Sequence, residues 1–534
     1  MTGKLSLRLG RNSRSGICRV AVLTAVYFVT YPYMLHRLGT ERFGMWALAL
    51  VISQSLGTQD LGIAGALMRF IPEHWNNGGK NRIQELASTA ISLLAGIGFT
   101  LGIAVFLFRH WIVSLLNIPS PLQTEMSWLL VVMAVVFFLS LISSGLTAIL
   151  VGIHRMDVSN VIYTSAALIQ GVGVFFALSR GYGLLGLAAN AALMTFLWGS
   201  ATWILLHYFI PEFRLRFSMV RRADSVYLLR YGLNIQVAGI GSFLTIPPIK
   251  VLLSRYVSLA SVSSFELASG MALQLRSGFL MAAMPLIPAS AHLDSEKASA
   301  HLGQLYRRSL RYIVLVGLPV FSLVAVLAPG FVEFWLRRET PYVASTLALL
   351  LVGWFFNTLT LPAYFMLQGQ GLARYQMYST ALQATCSVVF GYILVQIFGY
   401  YGAVIGLVAG LSVAATYLLW QYPRLCQGSR GTLFDGTLLK AIVINGILLT
   451  PLVLRPEWRQ THRLFGLFLL AASYLVIYLA LLVVFGGLTE SERRDIAFAW
   501  PPNIVRRLMK DAVISKPSQA EQNGGVPRTK WEER

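Results

Sequence analysis

The sequence predicts an all-α membrane protein of about fourteen transmembrane helices: two six-helix lobes, related as parallel repeats around a central cavity, followed by two further helices. Three observations carry that expectation. Of 534 residues, 56% are hydrophobic and 12% charged, with a mean hydropathy of +0.64, which describes a polytopic membrane protein rather than a soluble enzyme. Lys and Arg are unevenly shared between alternate loops, and short motifs recur at one long spacing.

Residues 1–19 form a basic N-terminus carrying Lys4, Arg8, Arg11, Arg14 and Arg19. The apolar run from Val20 to Leu38 resembles a signal peptide at first, but it is long, holds Pro32 and lacks a small-x-small cleavage site, so an uncleaved first helix is expected. Further spans follow near 42–72, 84–108, 126–151, 158–179 and 183–209, completing an N-lobe of residues 20–209. A basic linker, 210–226, leads to a C-lobe, 227–422, with spans near 227–253, 258–290, 305–328, 343–367, 375–397 and 401–422. Extra helices near 437–454 and 463–487 occupy residues 423–488, and a basic tail runs over 489–534. The two long spans, 42–72 and 258–290, are expected to be broken or strongly tilted.

With the N-terminus cytoplasmic, thirty Lys and Arg fall on the inside and ten on the outside, leaving Arg69, Lys250 and Arg276 within spans. That positive-inside bias places both termini in the cytoplasm. The formal charge of +21 is then first a topology signal, so anionic lipids are the expected surface partners and nucleic acid is not. Cys18, Cys386 and Cys426 are far apart, and the eight histidines show no HExxH pattern, so neither a disulfide framework nor a metal site is expected. Gly78-Gly79-Lys80-Asn81 lacks the remaining residues of a phosphate-binding loop, and no cofactor is expected.

The repeat is read from three matches. Arg37 corresponds to Arg255, Phe70-Ile71-Pro72 to Leu286-Ile287-Pro288, and Gly181-Tyr182 to Gly399-Tyr400, at spacings of 218, 216 and 218 residues. Six helices separate the copies, so both have the same orientation, with a site expected between them.

Charge inside the spans points to that site. The stretch Phe43–Glu73 is apolar enough to cross a bilayer yet carries Gln54, Gln59, Asp60 and Arg69. A charge at the bilayer centre costs about 2.5 to 3.5 kcal/mol, so such groups are expected to face a bundle or a water-filled cavity. Arg69 has a local alternative in Glu73, four residues on; Asp60 has none in sequence and is assigned to the cavity. In the second half, Asn234, Gln236 and Lys250 flank Pro247-Pro248, and Glu266, Gln274 and Arg276 precede Pro285 and Pro288. Lys250 has two placements, in the cavity or snorkelling to the interface. Arg69, Lys250 and Arg276 exceed Asp60 and Glu266 by one charge, so an anion is the expected ligand, and a pyrophosphate suits bidentate arginine. The acidic pair is expected to balance the cations or to bind a coupling H+ or Na+.

These residues bear a family resemblance. Leu38-Gly39-Thr40-Glu41-Arg42-Phe43-Gly44-Met45-Trp46, Asp60-Leu61-Gly62-Ile63, Phe265-Glu266-Leu267-Ala268 and Pro285-Leu286-Ile287-Pro288-Ala289 resemble the polysaccharide biosynthesis and oligosaccharide flippase family, within the multidrug/oligosaccharidyl-lipid/polysaccharide exporter superfamily. Gly181-Tyr182-Gly183-Leu184-Leu185-Gly186 and Gly399-Tyr400-Tyr401-Gly402 look like its turns before the sixth and twelfth helices; the resemblance covers about residues 15–425. It implies a non-enzymatic bacterial inner-membrane flippase that moves a polyprenyl-pyrophosphate-linked glycan by alternating access, for lipopolysaccharide or exopolysaccharide assembly. A polysaccharide polymerase and other assembly proteins are the partners it implies. Asp60, Arg69, Glu266 and Arg276 are the residues carried over by position, and the two extra helices resemble those of lipid II flippases, where they help form a groove for the lipid tail. Three other readings compete: a drug or cation antiporter, a membrane-embedded glycan polymerase or ligase, and a scaffold for glycan assembly. The basic excess in the spans, the shortness of the outside loops and the presence of intramembrane charge argue against them in turn.

Overall fold

The computed structural model describes residues 2–57, 60–76, 79–211, 213–291, 299–337, 340–425, 436–455 and 464–485. Among these the chain is helical, with two short 3-10 turns and no strand. In order the helices are α1 (Thr2–Gly57), α2 (Ile63–Asn76), α3 (Lys80–Leu115), α4 (Gln123–Gly152), α5 (Met156–Ser179), α6 (Gly183–Phe209), α7 (Arg222–Phe243), α8 (Pro247–Tyr256) and α9 (Leu259–Ala283). There follow α10 (Leu286–Ala291), α11 (Ser299–Leu336), α12 (Val343–Leu359), α13 (Leu361–Gly369), α14 (Ala373–Phe398), α15 (Tyr400–Leu425), α16 (Gly436–Leu454) and α17 (Leu464–Val484).

Ten described helices are long and apolar enough to cross a membrane, and Leu438–Leu454 is a shorter apolar one. Large apolar side chains such as Phe99, Trp111, Phe176 and Ile204 are exposed, as a bilayer solvent permits. The chain is therefore a multi-pass membrane protein. Of the fourteen spans expected, 20–38 and 42–72 fall on α1 and α2, and 227–253 on α7 and α8. These segments carry the internal breaks and polar residues that set them apart from uniformly apolar helices.

Each break has a local cause. Gly39 has φ +77° and ψ 172°, which splits α1 into two arms. The expected long span 42–72 is interrupted between Gly57 and Ile63, and 258–290 at Met284–Pro285, where proline removes a helical N–H. Pro247 and Pro362 sit at the first or second positions of α8 and α13, where that N–H has no helical partner to lose. Corresponding helices begin at regular offsets: Lys80 and Ser299, Gln123 and Val343, Met156 and Ala373, and Gly183 and Tyr400 are 217 to 220 residues apart.

By contacts the chain divides into two compact units, residues 1–431 with 455–467, and residues 432–454 with 468–534. In the second, Tyr474 Oη donates to Asn445 Oδ1 at 2.7 Å, and Lys440 Nζ donates to the Phe485 carbonyl at 3.1 Å. In the first, one core joins α1, α8, α9, α12 and α15 around Phe43, Phe265 and Leu407, while a second gathers α2, α3 and α4 around Ile63, Leu67 and Phe137. The first arm of α1 runs antiparallel to α9: Tyr31 meets Glu266, Tyr27 packs on Gly270, and Thr24 meets Gln274. Beyond Gly39, Ser263 Oγ donates to the Thr40 carbonyl and Gly44 lies against the Leu259 carbonyl, so the seam continues to the tips of both helices.

Candidate functional site

The intramembrane charges resolve into local settings that the tertiary fold creates. Lys250 and Glu266, on helices joined by the turn at Val257–Ser258, form an ion pair with Nζ 2.5 Å from Oε2. Lys250 is buried, so it does not snorkel. Tyr31 Oη donates to the other oxygen of Glu266 at 3.4 Å, and Tyr27 Oη donates to the Leu267 carbonyl at 3.0 Å. The Tyr27 and Tyr31 rings lie 4.1 Å apart, and Trp335 stacks on Tyr27 while donating its indole N–H to the Phe28 carbonyl at 2.7 Å. This pair is walled by aromatic rings from α1 and α11, a setting that strengthens its attraction and withholds water.

Arg276 occupies a different environment. Its Nε donates to Asn357 Oδ1 at 3.0 Å, and its guanidinium carbon lies 4.7 Å from the Trp354 ring centroid. Asn357 Nδ2 in turn donates to Gln383 Oε1 at 3.1 Å, and Gln383 Nε2 donates to Thr245 Oγ1 at 2.8 Å. The chain of bonds crosses from α9 through α12 and α14 to the turn before α8. Among the described residues no carboxylate contacts Arg276: its hydrogen-bond acceptor is an amide and its ring partner an indole.

Arg69, on α2, is exposed and donates to Tyr231 Oη of α7 at 2.8 Å, with its guanidinium 4.9 Å from that ring. The hydrogen bond is to a phenol rather than to the carboxylate of Glu73, the local partner that spacing suggested. Asp60 corrects an expectation. It has local partners after all, because the helix breaks at this point: its carboxylate accepts from the N–H groups of Gly62 at 2.9 Å and Ala64 at 3.2 Å, at the opening of α2. An acidic residue just before the apolar run Ile63–Phe70 is a helix-start signal, and that signal was available in the sequence. Gln274 Oε1 accepts from Thr24 Oγ1 at 3.0 Å, across the seam between α1 and α9. Gln59 lies outside the described residues, as do the side chains of Asn234 and Gln236.

Of the six residues singled out that are described, Lys250 and Glu266 are the two joined by an ion pair or hydrogen bond. The expected excess of one positive charge is thus divided: the Lys250–Glu266 pair cancels itself, Asp60 is taken up by backbone, and Arg69 and Arg276 remain on α2 and α9 beside neutral acceptors. Sequence reasoning missed Asn357 and Gln383, although polar amides inside apolar spans carried the same signal as the charges. It also missed a surface network in which Arg82 binds Asp224 at 2.5 Å and Glu85 at 2.8 Å, while Arg221 binds Glu85 at 2.6 Å. Among the described residues no group of three or more His, Cys, Asp or Glu is placed to hold a metal ion.

Comparison with known proteins adds to this geometry. Residues 17–294, just over half the chain, match the family described as "Polysaccharide biosynthesis protein". A candidate O-antigen transporter of Shigella flexneri is 22% identical over 428 residues, covering 78% of this chain and 98% of that protein. Two solved structures share the fold: an inward-facing multidrug resistance MATE family transporter of the MOP superfamily, with TM-score 0.67, 17% identity and coverage of 78% and 99%, and the lipid II flippase MurJ in an inward closed conformation, with TM-score 0.66, 14% identity and coverage of 86% and 98%.

Proposed function

Because the chain belongs to the polysaccharide biosynthesis protein family, we propose that it is a flippase that moves a polyprenyl-pyrophosphate-linked oligosaccharide across the bacterial inner membrane, without covalent chemistry. The likeness to a candidate O-antigen transporter and the fold shared with a lipid II flippase support a membrane exporter of this kind. The observation that carries the reading is Arg276: a half-buried cation whose described hydrogen-bond and ring partners are an amide oxygen and an indole face. A guanidinium held this way keeps its full charge for an incoming phosphate oxygen. Arg69 of α2, hydrogen-bonded to the phenol of Tyr231 on α7, is the second cation of the proposal.

The proposal includes the architecture of two parallel six-helix lobes, with fourteen spans and both termini cytoplasmic. Regular offsets of 217 to 220 residues between corresponding helix starts support the repeat, as do the positive φ angles of both Gly181 and Gly399. Alternating access then places the seam between α1 and α9 at the boundary of the lobes. Coupling to H+ or Na+ is assigned to Glu266, which must exchange Lys250 for the ion. The drug-antiporter alternative has less support, since the intramembrane groups left beside neutral acceptors are the cations Arg69 and Arg276 rather than carboxylates.

The test is replacement of Arg69 or Arg276 by Gln in a strain that depends on this chain for surface glycan. Loss of glycan with unchanged protein level is expected for each; normal glycan in both variants would overturn the assignment.

A further inference from the structure

A second feature lies beside Arg276. A cavity of 260 Å³ opens between α9–α10 and α11, with Phe279, Ala283 and Leu286 on one wall and Tyr312, Ile313 and Val316 on the other. Only Ser309 and Tyr312 bring polar side chains to it. The slot is open to the outside, for Val316 is 53% exposed and Ala282, also on its rim, is exposed. Its volume is below the roughly 300 Å³ at which pockets enclose a whole small ligand, so it suits one segment of a chain.

The slot points toward a cation. Arg276 and Ala283 are seven residues apart on one helix, which puts them within about 20° of the same face, and Phe279 stands one turn from Arg276 at roughly 4.5 Å of rise. Phe279, on the wall of the slot, packs on Phe321, with ring centroids 5.4 Å apart, and Phe321 on Phe355 at 5.8 Å, so a row of aromatic rings runs from the slot to α12, which carries the partners of Arg276. At the opposite end Arg308 reaches Tyr312 Oη at 3.5 Å, marking where the wall meets the polar surface.

Building on the function proposed above, we propose that the slot between α9 and α11 holds the first isoprene units of the polyprenyl carrier while its phosphate engages Arg276. Charge complementarity selects this occupant. An anion at Arg276, a half-buried residue within the span, needs an apolar exit to the bilayer for its chain, and this slot supplies one on the same helix face. A two-chain phospholipid, whose headgroup stays at the membrane surface near Arg308, leaves Arg276 uncompensated.

The test irradiates the purified full-length chain in nanodiscs with a diazirine-bearing polyprenyl phosphate and maps the labelled peptides by mass spectrometry. Label is expected on residues 279–286 and 309–316, about tenfold weaker in Val316→Trp and Ala282→Trp, and competed by unlabelled polyprenyl phosphate. Both substitutions are at exposed rim positions, and unchanged thermal unfolding of each variant establishes that the slot, not the fold, was altered. Label concentrated on residues 436–485, label unaffected by either substitution, or displacement by phosphatidylglycerol overturns the slot. Labelling elsewhere together with normal lipid flipping in reconstituted vesicles rejects the slot and leaves the carrier function standing; no polyprenyl binding at all rejects both.

Discussion

Lys250 of α8 and Glu266 of α9 stand on opposite sides of the turn at Val257–Ser258 and meet in an ion pair with 6% and 8% exposure. Among the described residues neither makes an ion pair with a third group. Each is therefore the reason the other tolerates burial. Removing one partner strands a charge, which typically costs about 3 to 5 kcal/mol, whereas replacing both by neutral groups of similar volume is often close to neutral. Lys250→Met is expected to lower the thermal unfolding temperature in detergent, and Lys250→Met with Glu266→Gln to recover most of the loss. A double variant as unstable as the single would show that the pair is not what holds α8 to α9.

Asn357 offers a way to separate the charge of Arg276 from its placement. Asn357→Leu removes the acceptor of Arg276 Nε and the donor to Gln383 Oε1, at about 1 to 3 kcal/mol per unsatisfied group, and should reduce both stability and export. Asn357→Asp instead supplies a carboxylate to the guanidinium. Stability should be kept while export falls about tenfold, because the cation is then neutralised before a phosphate arrives. Glycan export in a complementation assay reads the second effect and thermal unfolding the first; full export in Asn357→Asp would show that a free positive charge at Arg276 is dispensable.

The network of Arg82, Glu85, Asp224 and Arg221 joins the start of α3 to the start of α7. Asp224 is 5% exposed in its side chain and Arg221 60%, so the inner half of the network carries most of its value. Asp224→Asn is expected to cost about 1 to 3 kcal/mol. Exchanging the pair, as Arg82→Asp with Asp224→Arg, should restore at least half of that. Chemical denaturation at low and high salt checks both expectations, with a smaller salt effect for Asp224 than for Arg221.

Gly44 and Gly39 predict contrasting outcomes. A Cβ on Gly44 would collide with the Leu259 carbonyl oxygen, whereas one on Gly39 meets nothing within 4 Å but must adopt φ +77°. Gly39→Ala should cost about 1 to 3 kcal/mol, its φ and ψ lying where essentially only glycine is found, with the seam intact. Gly44→Ala should part α1 from α9, seen as several-fold faster maleimide labelling of Ser263→Cys. Equal labelling in both backgrounds would show that this end of the seam is not set by backbone contact.

The helical fold was legible because hydropathy and proline act locally: Pro247 and Pro285 each mark a break that the structure contains, while the break before Pro362 went unread inside the expected span 343–367. Individual charges were equally plain, since any ionisable group in an apolar run stands out. Their partners were not, because the antiparallel register of α1 on α9 and the proximity of α8 to α9 are tertiary facts. Asp60 shows the difference most clearly. On an unbroken helix it faces outward from its own backbone, and only the interruption before Ile63 turns its carboxylate onto the N–H groups of Gly62 and Ala64. Asn357 and Gln383 were missed for another reason: their spans, 343–367 and 375–397, hold no charged residue, and amides stood out only beside charges. The apolar slot beside Arg276 leaves no trace in a linear pattern at all, being built from residues of two helices.

Gly62 and Gly232 touch main chain to main chain, a Cβ on either having no room against the other strand of backbone. With no side chain between them, the entry to α2 and the middle of α7 have nothing there that can bend, swap rotamer or store displacement. If the bundle tilts during a transport cycle, this contact is its fulcrum: spin labels flanking the two glycines should keep one separation throughout, while labels around Gly39 and Val257 swing apart and together.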